Sequence, residues 1–364
     1  MRPVFFLGIF IPVAIGLELA HVDSPVLVFG AAALAVIPCA AVMGEATEAI
    51  AARTGPGIGG LLNVTFGNAP ELIIAFFALL EGLQEVVKAS IVGSIIGNVL
   101  LVMGAAMFVG GLPREKQSFS QTAAHAQSAM LTLALAALIF PAIFQLIHGG
   151  GLPAVGEERV DFGSELEKLS LGVGIVLLVT YVAGLIFSLK THRAVFNPFE
   201  EGREGEGEEA HHWSVKRAAL FLALSAVAVG VMSEILVGSI SDAADEIGLS
   251  QFFVGVFVVA IVGNAAEHWV AVLVATKDKM DLAVNIAIGS SAQIALFVAP
   301  VLVLVSFVVG PDPMALVFNG YELGGLLFAV LIANLVTQDG ESNWFEGVQL
   351  LALYAVLGLV FYFA

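Results

Sequence analysis

Two glutamates stand inside long apolar stretches of this sequence, in matching settings: Gly67-Asn68-Ala69-Pro70-Glu71 and Gly263-Asn264-Ala265-Ala266-Glu267. The offset is 263 − 67 = 196, and it also carries Gly93-Ser94 onto Gly289-Ser290. Ionisable groups at membrane depth are costly and mark functional sites. No lysine or arginine lies within one helical turn of either glutamate. On a helix, Asn68 shares a face with Glu71, and Asn264 with Glu267. Two carboxylates with two amide oxygens form a hard-oxygen set that suits Ca2+ and suits soft metals poorly.

Pro70 extends the set. It has no N–H, so the carbonyl of Phe66 loses its helical partner, and Gly67 beside it eases local unwinding. Backbone oxygens freed at this depth can line a cavity or bind an ion, which adds Phe66, Gly67 and Gly263 to the candidate ligands. A plain proline kink with a buried, protonated glutamate explains one copy of the motif, and explains two copies poorly. Ser94 and Asn98 in the next apolar segment, and Ser290, Ser291 and Gln293 in its counterpart, either face the ion and its waters or make interhelical hydrogen bonds.

A second acidic tier surrounds the pair. Glu45 and Glu48 are three apart near one end of the second apolar segment, and Glu234 lies deep in the seventh. With Glu71 and Glu267 these make the expected proton pathway, Glu234 being the foremost relay candidate. Asp242 and Asp245 repeat the three-residue spacing and fit solvated helix ends. His268 either titrates near neutral pH or makes a structural hydrogen bond.

The chain must hold these residues in a bilayer. It is 59% hydrophobic and 12% charged, with mean hydropathy +0.98, far from the balance of a soluble domain. A spanning helix needs roughly 20 apolar residues. About eleven such stretches are present, at 3–20, 25–52, 57–81, 86–112, 121–148, 168–190, 213–240, 249–275, 281–310, 315–337 and 343–363. The fold class expected is therefore an all-α integral membrane protein, multi-pass and embedded in lipid. With the N-terminus inside and the sides alternating, eleven of the fourteen lysines and arginines fall inside and three outside (Lys88, Arg159 and Lys168), as the positive-inside rule favours. The C-terminus is then on the opposite side, and the cell membrane is the expected location.

Setting aside an extra N-terminal helix (1–22), ten spans remain. They form a five-helix unit at 23–190, a linker at 191–212 and a second five-helix unit at 213–364. Units of five enter from opposite faces, so the repeats are inverted, an arrangement that transporters use around a midplane site. The linker carries six glutamates among glycines at 200–209 and reads as a solvated tether, with a regulatory cation site as the weaker alternative; His211-His212 beside it reads as an exposed pair. The acidic loop at 149–167 either concentrates cations or is ordinary hydrophilic chain. A net charge of −17 excludes a basic nucleic-acid-binding surface. The single Cys39 allows no intramolecular disulfide and no thiolate pair for a metal. No Ser/His or His-x-x-x-His arrangement supports a hydrolase, so no enzymatic activity and no organic cofactor are expected.

The stretch Gly263-Asn264-Ala265-Ala266-Glu267-His268, with the block from Gly59 to Asn68, Ser233-Glu234, and Gly289-Ser290 through Ala299-Pro300, resembles the calcium/proton exchangers, the cation/proton exchanger branch of the cation/calcium antiporter superfamily. The resemblance runs over nearly the whole chain. It implies secondary antiport of Ca2+ against protons by alternating access, with Ca2+ as the transported substrate carried on Glu71 and Glu267. The sodium/calcium exchanger branch is the nearest alternative. There a serine or threonine is usual where this chain has Asn68 and Asn264, although Pro70 matches the sodium branch. A cation channel with an acidic constriction is the more remote alternative.

Overall fold

The structure, a computed structural model, describes residues 2–156, 164–191 and 213–364. The linker glutamates, His211, His212 and the loop residues Glu157, Glu158 and Asp161 lie outside the described residues. The described chain is a helical bundle. A 3-10 segment (Arg2–Ile9) leads into α1 (Phe10–Leu19), followed by α2 (Pro25–Gly67), α3 (Ala69–Leu80), α4 (Gln84–Ile96), α5 (Met103–Gly111), α6 (Gln121–Ile147) and α7 (Glu165–Ile186). After the linker come α8 (Val215–Gly238), α9 (Ile240–Ile247), α10 (Gln251–Phe253), α11 (Ala260–Thr276), α12 (Met280–Gln293), α13 (Ala299–Ser306), α14 (Gly320–Val336) and α15 (Trp344–Tyr362). Wide π-type turns join α4 to α5 (Gly97–Val102), α10 to α11 (Val254–Val259) and α12 to α13 (Ile294–Val298). Such turns often sit at functional places.

Among the described residues, eight helical stretches are long and apolar enough to cross a bilayer, and Val4–Leu19, Ala69–Leu80 and Gly320–Val336 are shorter apolar helices. The expected spans 25–52 and 57–81 merge into one run of helical backbone, Pro25–Gly67, which is sharply folded. A Cβ built on Gly59 would fall 2.3 Å from the carbonyl oxygen of Ala51, whereas eight residues of straight helix separate two positions by about 12 Å. The chain therefore doubles back near 53–58. The expected span 315–337 begins late. Residues 314–318 have no regular secondary structure and are almost fully enclosed; side chains satisfy part of their backbone, the condition for irregular chain in an apolar interior. Ser306 Oγ accepts from Met314 N at 2.8 Å, Ser170 Oγ accepts from Leu316 N at 3.0 Å, and Lys88 Nζ donates to Val317 O at 3.2 Å. An Asn319/Glu322 capping box then starts α14.

Three expectations shift with this. Lys88, assigned to an outer loop, is buried in α4 because it serves that irregular segment. Glu165 and Glu167, assigned to the acidic loop, form the first turn of α7 behind an N-cap at Ser164, where acids favour the helix dipole. The all-α expectation gains one small exception, a pair of two-residue strands, β1 (Gln117–Ser118) and β2 (Glu341–Ser342), that clips two loops together. Lys116 beside β1 meets Glu341 at 2.6 Å; that carboxylate pushes the lysine's pKa up.

Close backbone packing positions the centre. A Cβ on Gly93 of α4 would lie 2.0 Å from Val256 O in the π-turn before α11, and one on Gly255 would lie 2.8 Å from Ala89 Cβ. Only glycine at these two crossings lets α4 and the α10–α11 segment lie backbone to backbone, as small residues do at membrane helix interfaces.

Candidate cation site

The first motif breaks its helix and the second does not. Asn68 separates α2 from α3 with φ −97° and ψ 16°, next to the helical bond to Phe66 O that Pro70 cannot make. The Asn68 N–H turns toward Phe66 O, so that carbonyl keeps a poor local contact and is not left wholly open as expected. In the second motif Ala266 replaces the proline, its N–H is available, and α11 runs unbroken through Gly263 and Asn264. The carbonyl of Gly263 therefore lies within regular helix, where it is a weaker candidate ligand.

The two glycines have a more specific role than sequence suggests. A Cβ on Gly263 would sit 3.2 Å from Glu71 Cγ, and one on Gly67 would sit 3.4 Å from Glu267 Oε1. Each glutamate thus lies across the glycine of the other motif, and the two motifs face each other at one centre.

The amides are oriented by neighbours on α4 and α12. Asn68 Nδ2 donates to Gln293 Oε1 at 2.6 Å. Asn264 Nδ2 donates to Ser94 Oγ at 2.9 Å and to Ala260 O at 2.9 Å. Ser290 Oγ donates to Glu267 Oε2 at 2.7 Å. Ser94, Ser290 and Gln293 therefore all belong to the centre. His268 and Asn98 pair through Nε2 and Oδ1 at 3.1 Å, which favours the structural reading of His268. With both asparagine NH2 groups committed, three enclosed oxygens have no hydrogen-bond donor: Asn68 Oδ1, Asn264 Oδ1 and Glu71 Oε2. Buried acceptors are rarely left so. Oxygens that want a positive charge are what a hard cation would satisfy.

A cavity of about 390 Å3 reaches this centre from one side. Glu267, Gln293, Ser290 and Phe66 line its inner part, and Glu45 and Glu48 of α2 line it as well. Glu71 is not among its lining residues. Between 180 and 189 the cavity wall is formed by the C-terminal end of α7 and the π-type turn Phe187–Thr191 that follows it. Three carboxylates, those of Glu45, Glu48 and Glu267, therefore stand along one cavity. Glu234 is not among its lining residues either. It is exposed on α8 while its neighbour Ser233 is fully buried; a step of about 100° per residue turns the two apart. Asp242 and Asp245 are exposed on α9, as solvated helix ends would be. Sequence reasoning passed over Gln127 of α6 and Asn285 of α12, which also line the cavity. Both are uncharged polar residues inside apolar stretches, and that signal was available.

The chain as a whole has counterparts among known proteins. A model of the sodium/calcium exchanger protein family matches residues 24–190 and 217–363. This chain belongs to that family. The exchanger is 45% identical over 372 residues to a Ca(2+)/H(+) antiporter of Aphanothece halophytica, covering 99% of this chain and 96% of the relative. It is 43% identical to the Ca(2+)/H(+) antiporter ChaA of Bacillus subtilis, covering 100% and 99%. The solved structure of native YfkE superposes with TM-score 0.81 at 38% identity, covering 99% of the exchanger and 100% of that chain. A structure of the sodium-calcium exchanger NCX_Mj shares the fold, with TM-score 0.54 at 18% identity over 92% of this chain and 97% of the other.

Proposed function

We propose that this exchanger is a secondary antiporter that moves Ca2+ across a membrane against protons by alternating access. The observation that carries the site is the crossing of Glu71 over Gly263 and Glu267 over Gly67, beside three oxygens that lack a donor. The relatives at 43–45% identity, named Ca(2+)/H(+) antiporters, support the ion pair. Two carboxylates neutralise one Ca2+; a proton on each neutralises the same pair once Ca2+ has left. An empty, doubly anionic site is expensive in a low-dielectric interior. The carrier therefore changes its facing only when loaded with Ca2+ or with protons, and the two fluxes are coupled. Asn68, Asn264, Ser290 and Gln293 orient the ligands, while Glu45 and Glu48 draw cations and pass protons along the cavity.

The layout follows as part of the same reading: an extra helix at 1–22, then inverted units at 23–190 and 213–364 joined by the acidic linker at 191–212. The matching of the family model in two segments supports it. So does the recurrence of a π-turn, Gly97–Val102 and Ile294–Val298, at nearly the 196-residue offset. With the N-terminus on the cytoplasmic side, the cavity opens to the cytoplasm. Sodium coupling is the second reading, favoured by the name of the family and by Pro70. The amides at 68 and 264, where the sodium branch carries hydroxyls, argue for protons.

The test is Glu71→Gln and Glu267→Gln, each reconstituted in proteoliposomes at matched protein level. Glutamine keeps the volume and removes the charge, so bound Ca2+ retains an uncompensated charge whose transfer through the interior is costly. Both variants insert normally and lose Ca2+ exchange. Near-normal exchange in either one defeats the two-carboxylate mechanism.

A further inference from the structure

Beyond the central site, α12 presents one polar row. Asn285, Gly289 and Gln293 follow at i, i+4 and i+8, on one face, and all three line the cavity. Gln293 is bound to Asn68 at the centre. About 12 Å away along the helix, Asn285 Oδ1 accepts a hydrogen bond from Gln127 Nε2 on α6. Gly289 lies beneath this pair: its Cβ would stand 3.4 Å from Asn285 Oδ1 and 3.7 Å from Gln127 Nε2. Gln127 is 6% exposed, and its Oε1 is enclosed without a donor. An amide held on a cavity wall with its carbonyl oxygen unpartnered is not accounted for by the hydrogen bond to Asn285, which uses only its NH2.

We propose that Gln127 and Asn285 form a second, weaker cation station between the mouth of the cavity and Glu267, where Ca2+ exchanges part of its water for amide oxygen. This rests on the reading of the protein as a Ca2+ carrier. Ca2+ takes six to eight oxygen ligands and accepts amide carbonyls among them. Two neutral amides bring no charge, so the station holds the ion loosely. A waypoint needs that weakness, because a path conducts only if each stop binds well enough to enter and weakly enough to leave. The spacing fits the role: Ser290, one residue past Gly289, donates to Glu267 Oε2 at 2.7 Å, so the ion moves from the amide pair to the carboxylate along one helix.

The test compares Gln127→Leu, Gln127→Glu and Asn285→Asp in the full-length exchanger. Initial Ca2+ exchange is measured against Ca2+ on the cavity side, with thermal stability of each variant. Gln127→Leu raises the half-saturating Ca2+ by about threefold or more, as loss of a neutral oxygen ligand should. Gln127→Glu and Asn285→Asp act the other way: a carboxylate at the station lowers the half-saturating Ca2+ and slows the maximal rate, because the ion is held. A pair that merely joins α6 to α12 predicts shifts of one sign in all three variants, following lost thermal stability. Shifts of one sign, or none, overturn the station. If Gln127→Leu fails to insert, the two acidic variants decide alone. Glu267→Gln, run alongside, separates the two claims. Exchange surviving Glu267→Gln defeats the carrier site itself. Exchange abolished there, with half-saturation unmoved in the station variants, defeats only the station.

Discussion

Gly263→Ala tests the crossed geometry more sharply than removal of either carboxylate does. The added methyl would sit 3.2 Å from Glu71 Cγ and 3.7 Å from Cδ and from Ile74 Cδ1. Carbon atoms rest comfortably at about 3.5–4.0 Å, so Glu71 must retreat by a few tenths of an ångström. Cγ is a mid-chain atom in a crowded place, and it cannot swing away as a side-chain tip can. Overpacking of this kind costs about 1–3 kcal/mol. Ca2+–oxygen distances fall within about 2.3–2.6 Å, so the retreat weakens the ion-bound state most. Since about 1.4 kcal/mol is tenfold in affinity, half-saturating Ca2+ should rise roughly tenfold. Gly67→Ala is the internal control: its methyl meets only Glu267 Oε1, at 3.4 Å, a contact near the ordinary range at the end of a flexible chain. Its effect should stay within about threefold. The assay is Ca2+ exchange in proteoliposomes over a range of Ca2+, with thermal unfolding beside it. Unchanged half-saturation in Gly263→Ala at normal stability, or a larger effect from Gly67→Ala, refutes the seating of Glu71 on Gly263.

Three further outcomes are expected. Gly93→Ala should lose stability by more than about 3 kcal/mol, the upper end of ordinary overpacking, because its methyl would lie 2.0 Å from Val256 O and 2.6 Å from Val256 C; normal thermal unfolding of that variant would show the crossing is looser than described. Deleting 201–209 should leave exchange intact, since a stretch of glutamates and glycines with one arginine, Arg203, makes a tether; a correctly inserted deletion variant without transport would place the linker in the machinery. Ca2+ uptake should run on a proton gradient with no sodium present, and vesicles that require sodium on the opposite side would move the protein to the sodium-coupled reading.

Much of the site was legible because polar residues inside apolar stretches are few and expensive. Glu71, Glu267, Asn68, Asn264, Ser94, Ser290 and Gln293 were all nameable on that ground, and the structure brings them together. The same rule, applied to uncharged residues, would have included Gln127 and Asn285. Glu234 lies away from the cavity lining, because depth in a segment does not give the direction of a side chain. The alternation at Ser233 and Glu234 is set by helix phase, and the exposed Val227, Val231 and Gly238 mark the same face only once packing is known. The irregular chain at 314–318 was hidden for another reason. Hydropathy reads 315–318 as the start of a helix, while two of the side chains that satisfy this backbone, Ser170 and Lys88, are distant in sequence.

What no periodicity can give is the crossing itself, in which each motif supplies the glycine that seats the other's glutamate. The two nearly identical motifs nonetheless end up in different states. Pro70 breaks the first helix, and Ala266 leaves the second intact. Ser94 is committed to Asn264, whereas its counterpart Ser290 is committed to Glu267, and Asn68 turns to Gln293 instead. Glu267 lines the cavity, and Glu71 is not among its lining residues. A carrier with two equivalent carboxylates open to one side would have no reason to prefer either facing. Here a single missing N–H makes the two halves of the site unequal. Glu267 lines the cavity, while Glu71 lies across Gly263.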